Sequence, residues 1–477
     1  GLTVAQAKAS IAFDAKVKTV QPNYIYYPTV FAEPADDPYY GLLWGLHNNA
    51  QVINNTAGVA DVDIDAPEAW AYLDGKVVEE VVVAVIDTGV DTRHPDLQGK
   101  MWINSGEIAG NGKDDDGNGY VDDVHGWNFA NDSATLFMGV EEDSHATHVS
   151  GTIAARDDQG GVIGIAPNVK IMSLKFLGAD GGTTADAIEA TYYSKNMGAD
   201  LSNNSWGGGA YDAALKAAID SFAKPFIVAA GNSKKNIDRV ASYPASYDCA
   251  NIITVAAVDN RGALASFSNY GLKGVDLGAP SANIASTYPD DQYMYMSGTS
   301  MAAPHVTGVT ALLMGFKPDL TSAQVKDIVM QSAQANPLLS LAGKTVTGGL
   351  VNVMKALELA GGAVVTPPPS SDTTAPYVVS SVPAEGAKNF KKANNLVVSF
   401  NETISIKNVS AILLTPTGST TSVTLSVTTD GRQLVIDPTA ATLSPYTRYT
   451  LTIGAGAVAD AAGNPNAAWS MTFTTSR

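Results

Sequence analysis

Three short segments carry side chains that can do chemistry together. In Val83-Ala84-Val85-Ile86-Asp87-Thr88-Gly89 an apolar run ends in an acid and then a glycine turn. The acid falls where an open parallel sheet keeps its functional groups, outside the carboxyl end of a strand. In Asp143-Ser144-His145-Ala146-Thr147-His148 the pattern predicts a helix starting near His145, so that its imidazole reaches outward. In Gly298-Thr299-Ser300-Met301-Ala302-Ala303-Pro304 the glycine permits a turn, and Pro304 is expected in the first turn of a following helix. Ser300 then sits at a helix N-terminus, where unpaired N–H groups and a positive dipole favour an oxyanion. Taken singly, these are a strand-ending acid, a helix histidine and an N-cap serine. Taken jointly, an acid, a histidine and a serine at the element ends of one α/β unit form a nucleophilic triad. Histidine takes the serine proton and returns it to a leaving group, while the acid fixes the tautomer and stabilises the imidazolium. His94, His148 and His305 read as satisfied core residues instead.

A second pattern carries cation chemistry. Asp114-Asp115-Asp116-Gly117-Asn118-Gly119-Tyr120-Val121-Asp122-Asp123 fits D-x-[DN]-x-[DN]-G. Asp114, Asp116 and Asn118 take the first, third and fifth loop positions, the Tyr120 carbonyl the seventh and Asp122 the ninth, with Asp123 beside it. That spacing wraps oxygens around a hard cation, and Gly119 allows the sharp turn. The twelfth position is His125 rather than a bidentate glutamate. So many like charges without a cation would be costly, which makes Ca2+ the expected ligand.

The elements that must position these groups alternate. Strand-like runs at Val81–Ile86, Val169–Leu174, Phe226–Ala230 and Ile252–Val258 are separated by helical stretches at Ala185–Met197, Ala210–Ala223 and Met301–Met314. Buried β runs alternating with helices predict an α/β, doubly wound parallel sheet covered on both faces. Residues 1–35 suggest a short helix and a strand, too little to bury a core alone. Residues 363–376, rich in Pro, Ser and Thr, read as a stiff linker. Residues 377–477 hold short alternating runs (Leu396–Phe400, Val423–Val427, Leu434–Ile436, Tyr449–Ile453 and Met471–Thr474) separated by turns, the pattern of an all-β sandwich.

Composition narrows the function classes. The 477 residues imply roughly three domains. With 29 Lys and Arg against 47 Asp and Glu, the net charge of −18 argues against a nucleic-acid partner and suits a soluble extracellular protein. No apolar run is long enough to span a bilayer. The single cysteine, Cys249, precludes an intrachain disulfide and reads as packing; metal ions are the expected staples.

The three motifs together resemble the subtilisin-like serine proteases, closest to the thermitase-type branch, over about residues 36–359. The resemblance implies that Asp87 orients, His145 is the base and Ser300 the nucleophile. It also implies that Asn232, at the end of Phe226-Ile227-Val228-Ala229-Ala230-Gly231-Asn232, donates its amide to the oxyanion beside the Ser300 N–H. One edge of the substrate cleft would come from Gly178, Gly181 and Gly182, the other from Ser205, Trp206 and Gly207. A primary pocket would be walled by Ser205–Gly207 and by Ala229–Gly231, with Ser242 at its floor. The implied substrates are proteins and peptides bound as an added strand and cleaved through an acyl-enzyme, with broad specificity and an apolar preference at the cleaved bond. The family usually has glycine after the histidine; this chain has Ala146. A second Ca2+ site is implied at Asp37, Asp96, Asp158 and the loop carbonyls of Arg156, Gly160 and Val162. Residues 1–35 resemble the last part of an inhibitory propeptide, so the chain's own propeptide is an expected partner, with processing between Tyr27 and Asp36. The catalytic domain would span 36–362, and 377–477 resembles bacterial Ig-like modules. The expected protein is a secreted monomer with two or more structural Ca2+ ions and no organic cofactor. An inactive calcium-dependent scaffold and an esterase using the same triad are the alternatives in other classes.

Overall fold

Apolar runs of seven residues in which every second side chain faces the same way can bury both faces of a sheet. The strands here do so. The structure, a computed structural model, describes residues 37–157, 160–362, 375–392, 394–401, 404–419, 421–430, 432–438, 443–459 and 464–477. The readings made for residues 1–35, for most of the linker and for Asp158 lie outside these. The described residues fall into two units that divide after Val365.

In the first unit the central sheet has seven parallel strands: β1 Val81–Asp87, β2 Gly126–Asn128, β3 Val169–Lys175, β4 Leu201–Asn204, β5 Phe226–Ala229, β6 Ile252–Val258 and β7 Leu277–Pro280. Their spatial order is β2-β3-β1-β4-β5-β6-β7. Strand β1 therefore lies where the order reverses, with β3 on one side and β4 on the other. A crevice opens at the carboxyl ends of strands at such a switch point, and Asp87 is the last residue of β1.

Alternation along β1 divides the interior in two. Val81, Val83 and Val85 join a core with helices α1 (Ala66–Leu73), α2 (Val140–Ala154) and α5 (Thr299–Phe316). Ala84 and Ile86 join another with α3 (Thr184–Asn196) and α4 (Ala213–Phe222). The four runs expected as strands are strands, with ends shifted by at most one residue. A hairpin of β8 (Ile284–Tyr288) and β9 (Gln292–Met296), which periodicity did not suggest, packs on α2. His148, buried on α2, reaches the Ile284 and Met294 carbonyls from Nε2 at 2.9 and 3.1 Å and so ties both strands down.

Two expectations about helix ends are corrected. Helix α2 begins at Val140, five residues before His145, because Glu141, Glu142 and Asp143 complement the dipole in its first turn. His145 is thus in the second turn. Pro304 is also beyond the first turn, inside α5. A proline there removes the N–H that would bond to the carbonyl four residues back. That carbonyl belongs to Ser300, and the Ser205 hydroxyl donates to it at 2.8 Å instead.

The second unit has two four-stranded sheets. One orders β10 (Val378–Val382), β12 (Leu396–Phe400), β15 (Gln433–Asp437) and β14 (Ser426–Asp430); the other orders β11 (Ala387–Phe390), β17 (Trp469–Thr475), β16 (Arg448–Ile453) and β13 (Ile412–Pro416). Pairing is antiparallel except between β11 and β17. Leu396, Val398, Leu414, Leu434, Ile436, Leu451, Ile453 and Phe473 fill the space between the sheets. Strands β10, β11 and β13 were not expected.

Candidate active site

Asp87 is fully buried, and its Oδ1 accepts from the His145 ring Nδ1 at 2.7 Å and from the Thr88 N–H at 2.7 Å. The other oxygen, Oδ2, has no described partner. Thr88 then reaches across to helix α2, its hydroxyl accepting the Ala146 N–H at 3.0 Å. Ala146 itself is buried in the core, so its methyl is a packing group. Burial on its own would lower the His145 pKa, but the charge of Asp87 and the hydrogen bond to it outweigh that and hold it above the ordinary value of 6.5. With the Asp87 bond on Nδ1, the ring leaves Nε2 for a reacting group.

Helix α5 starts at Thr299 after Gly298, which puts Ser300 in its first turn. The Ser300 hydroxyl donates to the Ser205 carbonyl at 3.0 Å, its only described partner. Ser205 and Ser300 thus hold each other through two reciprocal bonds, hydroxyl to carbonyl in both directions. Among the described residues the Ser300 hydroxyl makes no hydrogen bond to His145.

Beyond β5 the chain turns at Gly231, whose φ of +100° favours glycine. Asn232 follows. Its Oδ1 accepts both the Thr299 N–H at 2.8 Å and the Thr299 hydroxyl at 2.9 Å. A Cβ built at Gly298 would lie 3.3 Å from Asn232 Nδ2, so the amide nitrogen faces the start of α5. The Ser300 N–H is one of the donors that a helix start leaves unpaired.

The residues expected to edge a substrate cleft lie on two loops. Gly178 and Gly181 exchange backbone bonds of 3.0 Å in both directions and form a closed turn. Gly182 packs on Phe176, where a Cβ would come within 2.5 Å of the Phe176 carbonyl. On the other side, Trp206 stacks edge-on against Phe176 with ring centroids 4.8 Å apart. The segment after it runs along Tyr243, with Gly208 N–H donating to the Tyr243 carbonyl at 3.0 Å. A Cβ built at Gly231 would lie 2.5 Å from the Asn269 amide nitrogen and 3.7 Å from the Ser242 hydroxyl, so Ser242 neighbours Gly231.

In the acidic loop, one oxygen each from Glu107, Asp114 and Asp116 lie within 4.8 Å of one another. Three hard oxygens at that spacing fit Ca2+. Glu107 lies upstream of the motif and was not read from sequence; its signal was only the charge. The Gly119 N–H, with those of Gly117 and Asn118, holds the Asp114 carboxyl below its ordinary range. The other expected ligands carry hydrogen bonds or ring contacts of their own. Asp122 accepts the Asn111 and Gly112 N–H groups at 3.0 and 2.9 Å. Asp123 is buried and accepts from Asn104, Asn118 and the Tyr193 hydroxyl. The Asn118 side-chain oxygen accepts the Tyr120 N–H, and the Tyr120 ring packs on Trp127 and Tyr193. His125 faces the Trp102 carbonyl at 2.7 Å.

The segments expected to form the second cation site do meet. Asp37 and Asp96 are buried, the Asp96 carboxylate accepts the Val162 N–H at 2.9 Å, and its carbonyl accepts the Arg156 N–H at 2.9 Å. The Tyr39 N–H donates to the Gly161 carbonyl at 3.0 Å, bringing the Gly160 turn beside the Asp37 segment.

A profile described as the subtilase family matches residues 79–352, and one described as a bacterial Ig-like domain matches 372–475. The chain belongs to the subtilase family. As a subtilase it is 34% identical to subtilisin DY of Bacillus licheniformis over 63% of this chain and 98% of that protein. It is 36% identical to the major intracellular serine protease of Bacillus subtilis (strain 168), over 54% and 74%. With fervidolysin of Fervidobacterium pennivorans it shares 32% identity over 70% of this chain and 49% of that one. A solved protease of Pseudoalteromonas arctica PAMC 21717 superposes with a TM-score of 0.51 at 28% identity, covering 68% of this chain and 99% of that one. The first unit therefore has the subtilisin-like fold of a serine endopeptidase family. Among the described residues no helix is long and apolar enough to cross a membrane.

Proposed function

We infer that this subtilase is a secreted, calcium-stabilised serine endopeptidase of broad specificity with an apolar preference at the cleaved bond. Ser300 attacks the scissile carbonyl while His145 takes its proton; His145 then delivers that proton to the leaving amine. Asp87 holds the ring through Nδ1, and the charge that develops on the carbonyl oxygen is met by the Asn232 amide and the Ser300 N–H. The single observation behind this reading is the 2.7 Å bond between His145 Nδ1 and a fully buried Asp87, at the sheet's switch point. An extended peptide lies between the segments around Gly178 and Trp206, pairing through its backbone, which selects a strand more than a side chain.

Glu107, Asp114 and Asp116 would hold one Ca2+, and Asp37 and Asp96 with the Arg156–Val162 loop a second. The ion supplies a positive centre that cross-links loops and stabilises the folded state. Secretion rests on the acidic charge, the lone cysteine and the kinship with subtilisins. Residues 1–35 act as the end of an inhibitory propeptide, released between Tyr27 and Asp36, and the mature enzyme works as a monomer.

Labelling with a sulfonyl fluoride tests the core of this reading. One label per chain, absent in Ser300→Ala, is expected, together with cleavage of a mixed protein pool that slows in a chelator. A folded chain that neither takes the label nor cleaves any protein would overturn it. Cut sites mapped from the same digest report the side-chain preference.

A further inference from the structure

A lysine with no exposed surface lies beneath this site. Lys175 ends β3 directly across from Asp87, its register partner on β1. Its ammonium donates to Asp143 Oδ1 at 2.6 Å and to the Leu177 carbonyl at 2.9 Å, and it pairs with Glu142 at 2.7 Å. Asp143 is equally buried and fully used. Its Oδ1 also accepts the Gly89 N–H at 2.8 Å, and its Oδ2 accepts the N–H groups of Met138 and Gly139, just ahead of α2.

The geometry is a knot of three segments. Gly89 belongs to the turn that carries Asp87, Met138 and Gly139 lead into the helix that carries His145, and Leu177 begins the cleft edge at Gly178. The approach is too close for other side chains, since a Cβ at Gly89 would lie 1.6 Å from the Leu136 carbonyl and 2.8 Å from Asp143 Oδ1. The Phe176 and Leu177 N–H groups donate to the Asp87 carbonyl at 2.9 and 3.1 Å, closing the loop from the other side.

We propose that the buried Asp143–Lys175 pair is a positioning device that fixes the Asp87–His145 geometry and ties it to the cleft edge beginning at Leu177. This rests on the reading of Asp87, His145 and Ser300 as the triad. Neither residue touches the reacting atoms; both act through the segments they hold. A buried pair is a poor source of net stability compared with apolar packing. Its use here is orientation, because a charge-assisted bond has a preferred direction and length. Displacing a catalytic group by about 1 Å can cost roughly 100-fold in rate.

The pair's charges give a signed test. The His145 ring bonds to Asp87 on β1 and shares an electrostatic interaction with His148 on α2; Glu142 and Asp143 precede it on α2, and Lys175 on β3 is the register partner of Asp87. Asp143→Asn removes a negative charge and leaves Lys175, so the acid limb of kcat/KM moves to lower pH. Lys175→Met leaves Asp143 and Glu142 uncompensated and moves it to higher pH. Each shift is expected at roughly half a pH unit. In both variants kcat on a peptide amide falls by roughly 10- to 100-fold with a smaller change in KM. The double variant Asp143→Asn/Lys175→Met restores the limb to its wild-type position but not kcat.

Either single variant can lose folding, since each strands a buried charge. The double variant and the milder Glu142→Gln, checked by near-UV circular dichroism, then carry the test. For Glu142→Gln the expected result is a limb shift of the same sign as Asp143→Asn with a smaller loss of kcat. Folded variants with wild-type kcat and an unmoved limb would overturn the proposal. Ser300→Ala run in parallel separates the two readings: if it keeps full activity the triad assignment fails, whereas if it is dead and the pair variants are unaffected only the positioning proposal fails.

Discussion

Two groups of carboxylates in the first unit are handled in opposite ways. Around the active site, Asp87, Glu142 and Asp143 are answered inside the chain, by His145 and by a lysine with no exposed surface. In the loop of residues 104–123, Glu107, Asp114, Asp115, Asp116 and Asp122 are answered by backbone N–H groups and by the side-chain amides of Asn104, Asn111 and Asn118. Among the described residues no lysine or arginine pairs with them. The difference teaches what each group is for. Carboxylates whose counter-charge is built in keep one geometry at all times. Carboxylates left without one are open to a diffusible cation, and if Ca2+ binds as proposed their loop gains stability from it.

The largest expected effect comes from breaking the first group at its output. Ser300→Ala should lower kcat by about 10^6-fold, a magnitude carried over from subtilisin. Asn232→Ala should cost roughly 10^2- to 10^3-fold in kcat with little change in KM, again on the subtilisin scale. Stopped-assay kinetics on a peptide amide check both.

Breaking the second group should affect stability and leave the chemical step intact. With free Ca2+ at about 100 times its dissociation constant, the ion contributes about 2.7 kcal/mol. Chelation should therefore lower the melting temperature, and Asp114→Asn or Asp116→Asn should make melting less sensitive to Ca2+. Calorimetry with and without chelator measures this. A wild-type melting curve indifferent to Ca2+ would remove the contrast between the two groups.

The smallest effects are in pH. Because His145 is held above 6.5 and must be neutral to accept a proton, kcat/KM should rise through a limb lying above that value. Stability runs the other way. A raised folded pKa contributes below the unfolded value and is lost as pH rises through the folded one. His148 and His305 act in the opposite sense to His145, since burial pushes both down to about 4. They remain neutral in the fold while the unfolded chain takes up protons, so stability should fall as pH drops from about 6.5 toward 4. Denaturant titrations across that range test the sign.

The fold was legible where a single periodicity decided it. Strands such as Ile252–Val258 are buried on both faces, and their composition says so. The hairpin of β8 and β9 was not legible, since Gln292–Met296 is largely exposed and holds its place through His148 on a distant helix. The extra turn of α2 was hidden because Glu141, Glu142 and Asp143 look like an acidic loop unless the helix dipole is considered. Asp87, His145 and Ser300 stood out only jointly, since each alone reads as a strand-ending acid, a helix histidine or an N-cap serine. The supports beneath them, Lys175 and Asp143, did not: a lysine ending an apolar strand looks like a strand exit, and only the neighbouring helix turns it inward. In the acidic loop, local spacing found Asp114 and Asp116, while Glu107 arrives from outside the motif and could be found only in three dimensions.

The two bonds from Thr299 to the oxygen end of Asn232 have a consequence for timing. A carboxamide has two ends of nearly equal shape, and one left to itself would spend part of its life presenting the wrong one. Here the fold itself orients the amide, so a peptide bound as proposed would meet a dipole that no longer has to rotate as negative charge builds up.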